Sequence, residues 1–315
     1  MSTAAPSPLP LVAYRTAVAL DEPFRPAAAP APADRLPGQL RAVLDLLSTD
    51  PAVTRLGLSA DSVRSLRDAD FATARRALRA LLTVRAPDPL PEGATAGLDA
   101  LLGGERLTRP LVDARRLPTL AESLPGTRHP AADRTVLWHG DITTLAADAI
   151  VNAANSALLG CFVPQHPCID NAIHNAAGPR LREDCHTVMN RQRTPEPTGT
   201  AKITRGYHLP ARYVLHTVGP VVDGPLLPPH EHALASAYRA CLDLAGEVDT
   251  VRTLAFCAVS TGVFGFPKGP AARIALRTVA DWTSTHPDRL DRVIFTVFSE
   301  EDRATYLTAL ADASA

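Results

Sequence analysis

From Gln39 onward the apolar residues fall at helical spacing. Leu40, Val43, Leu44 and Leu47 occupy i, i+3, i+4 and i+7, which puts them on one face. Leu78, Leu81 and Leu82 repeat the stripe within Phe71–Val84, and Leu98, Leu101 and Leu102 begin a third. Prolines 87, 89 and 91 punctuate the chain between the last two. This spacing predicts a small helical extension over residues 38–127. After Pro130 the period changes. Short apolar runs at Val136–Trp138, Ala149–Val151, Tyr213–Val218, Thr253–Val259 and Val293–Phe298 read as strands. Helical segments alternate with them: Cys168 to about Met189, interrupted at Gly178, then His232–Ala245, Lys268–Trp282 and Glu300–Leu310. Thr253–Val259 is almost continuously apolar, as expected of a central strand buried on both faces. Such alternation predicts a three-layer α/β/α domain over residues 128–315. Ligands of such domains bind beyond the carboxyl ends of the strands. Residues 1–37 hold eight of the 29 prolines and an Ala-Pro tract from Pro26 to Pro32, so a flexible tail is expected there.

Composition narrows the partners more than the fold. Hydrophobic residues make up 46% and charged residues 21%, enough to bury a real core. Lys plus Arg number 32 against 33 Asp plus Glu, so there is no bulk basic field for non-specific nucleic-acid binding. No apolar run approaches the roughly 20 residues that span a bilayer, and the first residues lack the basic start and apolar stretch of a secretory signal. The expectation is a protein without nucleic-acid or membrane partners. The five cysteines, an odd number, do not form a disulfide framework pattern. A cytoplasmic location fits them, where clustered Cys and His more often mean metal than disulfide.

Cys161-Phe-Val-Pro-Gln-His166-Pro-Cys168 sets three metal-type ligands within eight residues. Pro164 and Pro167 stiffen the loop and keep it from becoming regular helix. Thiolate and imidazole together suit zinc. Three protein ligands leave a fourth tetrahedral position for water or substrate, the catalytic pattern, whereas a fourth ligand from His174 or His186 would close the site. Asp141 follows the first strand of the domain and can accept from an amino group on a ligand or cap its own turn. Asn155 ends the second strand with an amide suited to sugar hydroxyls. Ser260-Thr-Gly-Val-Phe-Gly-Phe-Pro267 links the most buried strand to a helix. Gly262 and Gly265 permit positive φ and close backbone approach, and successive N–H groups in such a turn form an anion nest able to hold a pyrophosphate. The Gly-Lys-Ser/Thr ending of a nucleotide-hydrolysing P-loop is missing from it.

Taken in order, these segments resemble the macrodomain family, and within it the zinc-dependent bacterial protein-ADP-ribose hydrolases. The carrying residues are Gly140-Asp-Ile-Thr143, Asp148-Ala-Ile-Val-Asn-Ala-Ala-Asn155, Leu159-Gly-Cys-Phe162, Pro164-Gln-His-Pro-Cys-Ile-Asp-Asn171, Glu196-Pro-Thr-Gly-Thr-Ala-Lys202, His216-Thr-Val-Gly-Pro220 and Ser260-Thr-Gly-Val-Phe264. The resemblance runs from about Arg134 to the C-terminus, with Arg193 where the family usually has glycine and His208 where it usually has asparagine. It implies a macrodomain with a mixed central sheet behind a helical extension. It also implies Zn2+ held by Cys161, His166 and Cys168, near the distal ribose of ADP-ribose. Asp141 would take the adenine amino group, with the Ile142 backbone beside it. Ser260, Thr261, Gly262 and Val263 would wrap the diphosphate, and Phe264 would pack on the distal sugar. Asn155, Ile169 and Asp170 would complete the distal pocket, with Asn155 and Asp170 as the candidate catalytic residues. The implied reaction is hydrolysis of ADP-ribose from a modified protein side chain, with aspartate as the linkage. A non-catalytic ADP-ribose reader with a structural zinc and an esterase of O-acyl-ADP-ribose would use the same residues.

Overall fold

The computed structural model describes residues 8–312. The predicted helical stripes fold into α1 (Leu36–Leu47), α2 (Pro51–Arg55), α3 (Ala60–Ser65), α4 (Phe71–Val84) and α5 (Ala94–Thr108). Their apolar faces close on one another: Leu40, Val43, Leu44, Leu47, Leu78, Leu81, Leu98 and Leu101 share one buried cluster. Side-chain caps start three of these helices, and Ser59 caps α3 by accepting the Ser62 N–H at 3.1 Å. Asp50 accepts from the Ala52 N–H and Asp70 from the Thr73 N–H, each at 2.9 Å. The Arg85 guanidinium pairs with Asp50 at 2.9 Å, both buried, and donates to the carbonyls of Asp88 and Pro89, which fixes the proline-rich turn after α4.

The second unit contains β1 (Val112–Asp113), α6 (Leu120–Ser123), β2 (Thr135–His139), β3 (Leu145–Ala146), β4 (Ala149–Ala153), α7 (Ile169–Ala177), α8 (Pro179–Gln192), β5 (Ala201–Arg205) and β6 (Tyr213–Thr217). It ends with α9 (Pro228–Gly246), β7 (Thr253–Phe256), α10 (Lys268–Thr285), β8 (Arg292–Val297) and α11 (Glu300–Asp312). Six strands form one sheet in the order β2-β8-β7-β4-β6-β5. All neighbours are parallel except β5, which runs antiparallel to β6. Helices flank this mixed sheet, giving the α/β/α layering read from the alternation. β1 and β3 form a separate two-stranded parallel ladder.

Two elements differ from expectation. Residues 1–7 of the expected flexible tail lie outside the described residues, but from residue 8 the chain is packed. Leu11, Tyr14, Val18 and Leu20 are buried in the core of the second unit, and the Tyr14 hydroxyl accepts the Ile203 N–H at 3.0 Å. The proline-free run from Leu11 to Glu22 gives this segment apolar area to bury, and the Ala-Pro tract is pinned by the Ala27 N–H on Asp99 and the Ala31 N–H on the Ala100 carbonyl. β5 was not anticipated, because its sequence Ala-Lys-Ile-Thr-Arg offers one large apolar residue. Its Lys202 is buried and donates to Glu196 at 2.7 Å, so a cation stands where the pattern expects a hydrocarbon.

Arg193 closes α8 with φ of 63°, a left-handed conformation that costs an L-residue roughly 1–2 kcal/mol. Arg193→Gly should therefore stabilise the protein by about 0.5–1 kcal/mol after the entropy of the unfolded glycine is deducted. The check is the urea midpoint, and a variant no more stable than the parent refutes it.

Candidate functional site

Because β2, β4, β6 and β7 run the same way, their carboxyl ends lie along one edge of the sheet. Asp141 follows β2, Asn155 follows β4, and the Ser260–Phe264 loop follows β7. β2 and β4 are three strand steps apart, about 14 Å. Asp141 Oδ1 accepts the Thr143 N–H at 2.9 Å and the Thr143 hydroxyl at 2.7 Å, so it caps the turn Ile142–Thr144. Its Oδ2 accepts from Arg109 at 2.9 Å. Ile142 is buried, and its carbonyl accepts the Leu145 N–H that closes the turn.

The loop after β7 is folded by its own backbone. The Phe266 N–H donates to the Ser260 carbonyl at 3.0 Å, Gly265 to Gly262 at 3.0 Å, and Val222 to Phe264 at 2.8 Å. Among the described residues, the N–H groups of Thr261, Gly262, Val263 and Phe264 meet no protein acceptor. Four successive unpaired donors at a sheet edge make an anion nest. The glycines divide the work differently from expectation. Gly265 takes a φ of +68°, but Gly262 is not left-handed. A Cβ at Gly262 would meet nothing within 4 Å, so its contribution is open space for a ligand. The left-handed residue at the start of the loop is Ser260, with φ of 65° and a buried hydroxyl that has no partner.

The Cys/His loop closes on itself. Cys161 Sγ lies 3.5 Å from His166 Nδ1, and the three ligand atoms of Cys161, His166 and Cys168 all lie within 4.8 Å of one another. Two such ligands on a tetrahedral zinc stand about 3.6 Å apart for Zn–S near 2.3 Å and Zn–N near 2.0 Å. Donor set and spacing fit that ion. Asn171 braces the loop: its side-chain N–H groups donate to the carbonyls of Val163 at 2.9 Å and His166 at 3.2 Å, and its backbone N–H donates to Cys168 Sγ at 3.4 Å. Burial pushes the Cys168 thiol up to about 11; the Asn171 N–H opposes this, and the charges of Cys161 and Asp170 add to it. Neither His174 nor His186, the residues that could have closed the site, joins the group. His186 bonds Asn190, and His174 lies with Cys185 and His216 instead. Asn155 shapes the approach to the loop, donating to the Gly160 carbonyl at 3.1 Å and accepting the Ala157 N–H at 2.9 Å.

Asp170 and Ile169 open α7 immediately after Cys168, which caps that helix. Burial raises the Asp170 carboxyl to about 6, against the opposing effects of the Asn152 amide and the Arg182 charge. Asn152 donates to Asp170 Oδ1 at 2.8 Å and to His216 Nδ1 at 3.2 Å. This assigns the proton of His216 to Nε2, which lies 2.9 Å from the Thr204 hydroxyl. His174 Nε2 is 3.4 Å from Asp170 but is not aligned for a hydrogen bond, and burial keeps the imidazole neutral. The group His174, Cys185 and His216 is a packed core cluster, because the ring nitrogen of His216 facing Cys185 already bonds Thr204. A cavity of about 280 Å³ lies elsewhere, lined by Phe24, Asp99, Arg205 and Tyr207, and holds none of the expected site residues.

A macro domain family model matches residues 151–275. The chain is 51% identical over 187 residues to the protein-ADP-ribose hydrolase of Treponema medium, covering 59% of this chain and 70% of that protein. It is 47% identical over 178 residues to the protein-ADP-ribose hydrolase of Staphylococcus aureus, covering 56% of this chain and 66% of that one. The solved Trypanosoma brucei macrodomain in complex with ADP-ribose aligns with a TM-score of 0.56 and 33% identity, covering 71% of this chain and 92% of that structure. The chain belongs to the macrodomain family.

Asn152, read with Asn155 as a strand-end amide suited to sugar hydroxyls, instead braces Asp170 and His216 in this macrodomain. Three further side chains matter that the pattern did not single out. Asn171 sat inside a motif as an ordinary helix residue. Arg109 lies in the extension. Arg182 is buried in α8, where its Nε donates to the Leu159 carbonyl at 2.7 Å, its Nη1 donates to the carbonyls of Leu82 and Arg85, and its guanidinium lies 4.5 Å from the Phe162 ring centre. A charged residue on a helix reads as solvent-facing, and only its distance in the fold from water shows otherwise.

Burial pushes His216 down to about 3, so it stays neutral in the fold and protonates below about 6.5 when unfolded. Acid therefore favours the unfolded chain, and His216 removes up to about 1.4 kcal/mol of stability per pH unit as pH falls from 6.5. Asp170, with its raised pKa, acts in the opposite sense, so the comparison must be between variant and parent. His216→Gln should show a shallower fall in urea midpoint between pH 7 and pH 5. Equal slopes would contradict a buried neutral imidazole.

Proposed function

We propose that this macrodomain is a zinc-dependent hydrolase that removes ADP-ribose from modified protein side chains, cleaving the ester to an aspartate carboxylate and releasing free ADP-ribose. The observation that carries this reading is the close grouping of Cys161, His166 and Cys168 on the segment between β4 and α7, while the unpaired N–H groups of Thr261 to Phe264 follow β7, the parallel neighbour of β4. An anion nest and a three-ligand group after adjacent strands suit a diphosphate whose sugar end meets a metal. The names of the Treponema and Staphylococcus relatives, and the ADP-ribose bound to the Trypanosoma structure, agree with it.

In this scheme Asp141 accepts from the adenine amino group, with the Ile142 backbone alongside. The N–H groups of the loop, from Ser260 to Val263, hold the diphosphate oxygens. Phe264 and Ile169 pack on the distal ribose, and Asn155 bonds one of its hydroxyls. Cys161, His166 and Cys168 would hold the zinc. When bound, it would supply Lewis-acid polarisation of an oxygen or a lowered pKa for water. Asp170 orients the attacking water, and Asn152 holds its carboxylate in place. Water adds across the ester: the protein recovers its carboxylate, the ribose recovers its hydroxyl and one proton is released. The five cysteines are free, which suits a reducing cytoplasm, and among the described residues no helix is long and apolar enough to cross a membrane.

Purified protein should carry about one zinc, and a chelator should stop release of ADP-ribose from a modified protein. Cys168→Ala should lose zinc and most of its turnover while keeping ADP-ribose affinity within about tenfold, as expected when the metal serves chemistry more than binding. Full turnover by a metal-free variant removes zinc from the reaction. Tight binding without release identifies a reader, and faster cleavage of O-acyl-ADP-ribose than of modified protein identifies an esterase.

A further inference from the structure

We propose that Arg109, contributed by the helical extension, determines base specificity: it fixes the Asp141 carboxylate so that a purine bearing a 6-amino group is accepted and one bearing a 6-oxo group is refused. The inference rests on the reading of Asp141 as the adenine contact and extends it to a residue outside the matched family segment.

Arg109 ends α5 in an extended conformation and leads through Pro110 into β1. β1 pairs with β3, Val112 opposite Leu145 and Asp113 opposite Ala146, and β3 begins directly after the turn that Asp141 caps. This two-stranded ladder ties the end of the extension to the turn that carries the carboxylate. Arg109 Nη2 donates to Asp141 Oδ2 and to Thr143 Oγ1, each at 2.9 Å. The Thr143 hydroxyl passes its own proton to Asp141 Oδ1 at 2.7 Å, and the Thr143 N–H reaches the same oxygen at 2.9 Å. The three residues form a closed, directional set.

A carboxylate offers about four acceptor positions. Three are filled here, two on Oδ1 and one on Oδ2, so one remains on Oδ2. Both side chains are only partly covered, Arg109 at 42% exposure and Asp141 at 41%, so a ligand can reach that position. An incoming amino N–H completes the set. An incoming carbonyl faces a carboxylate with no proton to give, while both protons of Arg109 Nη2 are already engaged. Set against the free lone pair of Oδ2, the carbonyl exchanges its water for a second acceptor, which disfavours the 6-oxo purine relative to the 6-amino one.

The test is calorimetric titration of the full chain with ADP-ribose, inosine diphosphate ribose and ribose 5-phosphate. The parent should prefer ADP-ribose to the inosine analogue by about tenfold or more. Arg109→Ala should weaken ADP-ribose by about three- to tenfold, a modest figure because the pair is partly exposed. It should also bring the two nucleotides closer in affinity and leave ribose 5-phosphate unchanged. Arg109→Lys should restore part of the preference through its point charge. A purely structural role would lower thermal stability and weaken all three ligands alike. An unchanged preference in Arg109→Ala, or tighter ADP-ribose binding, overturns the proposal. Asp141→Ala with full ADP-ribose affinity overturns the adenine reading beneath it.

Discussion

Strands that run in one direction must finish on one side, and that constraint organises this molecule. Along the sheet order β2-β8-β7-β4-β6 every pairing is parallel, so the segments after β2, β4 and β7 emerge together although they lie far apart in the chain. Val151, Leu215, Leu254, Phe256 and Phe295 hold the strands from one face and Ile150, Val214, Ala255 and Ile294 from the other, and all are almost completely buried. The ladder uses the backbone within the sheet and leaves the groups just past its edge unpaired. A row of free N–H donors after β7 is thus a by-product of parallel architecture, and the polar residues after β2 and β4 share the same aqueous margin.

The helical extension is built into this arrangement. Asp99 of α5 bonds His208 at 2.9 Å and Arg180 at 2.7 Å, which joins the extension to the β5–β6 turn and to α8. Burial alone would raise that carboxyl, yet His208, the Ala27 N–H and Arg180 hold it below the usual range. His208, the departure noted from the family pattern, is thus one of three partners of this carboxylate. A buried carboxylate needs a partner, and the imidazole supplies one.

Much of this was legible in the chain. The stripes of α1, α4 and α5 and the apolar runs of β2, β4, β6, β7 and β8 follow directly from periodicity, because each buries its side chains in the way its period dictates. The closeness of Cys161, His166 and Cys168 was legible too, since eight residues stiffened by two prolines have few ways to spread. What stayed hidden depends on partners remote in sequence. β5 is held partly by a buried Lys202–Glu196 pair, β1 and β3 are two-residue strands with no period to detect, and the segment around Tyr14 is a short apolar run set between proline-rich stretches. Asn152 and Asn171 act through hydrogen bonds whose direction is a property of the fold. Ser260, in a left-handed conformation that glycine would take more easily, shows that local preference was overruled by the surrounding packing.

Arg182 gives one last consequence. Its single guanidinium grips the end of α4 on one side and the chain entering Cys161 on the other. Fraying of the extension cannot proceed without releasing a buried cation and slackening the thiol loop in the same event. The two regions therefore open and close as one cooperative block, and amide protons on both should exchange with solvent at a common rate.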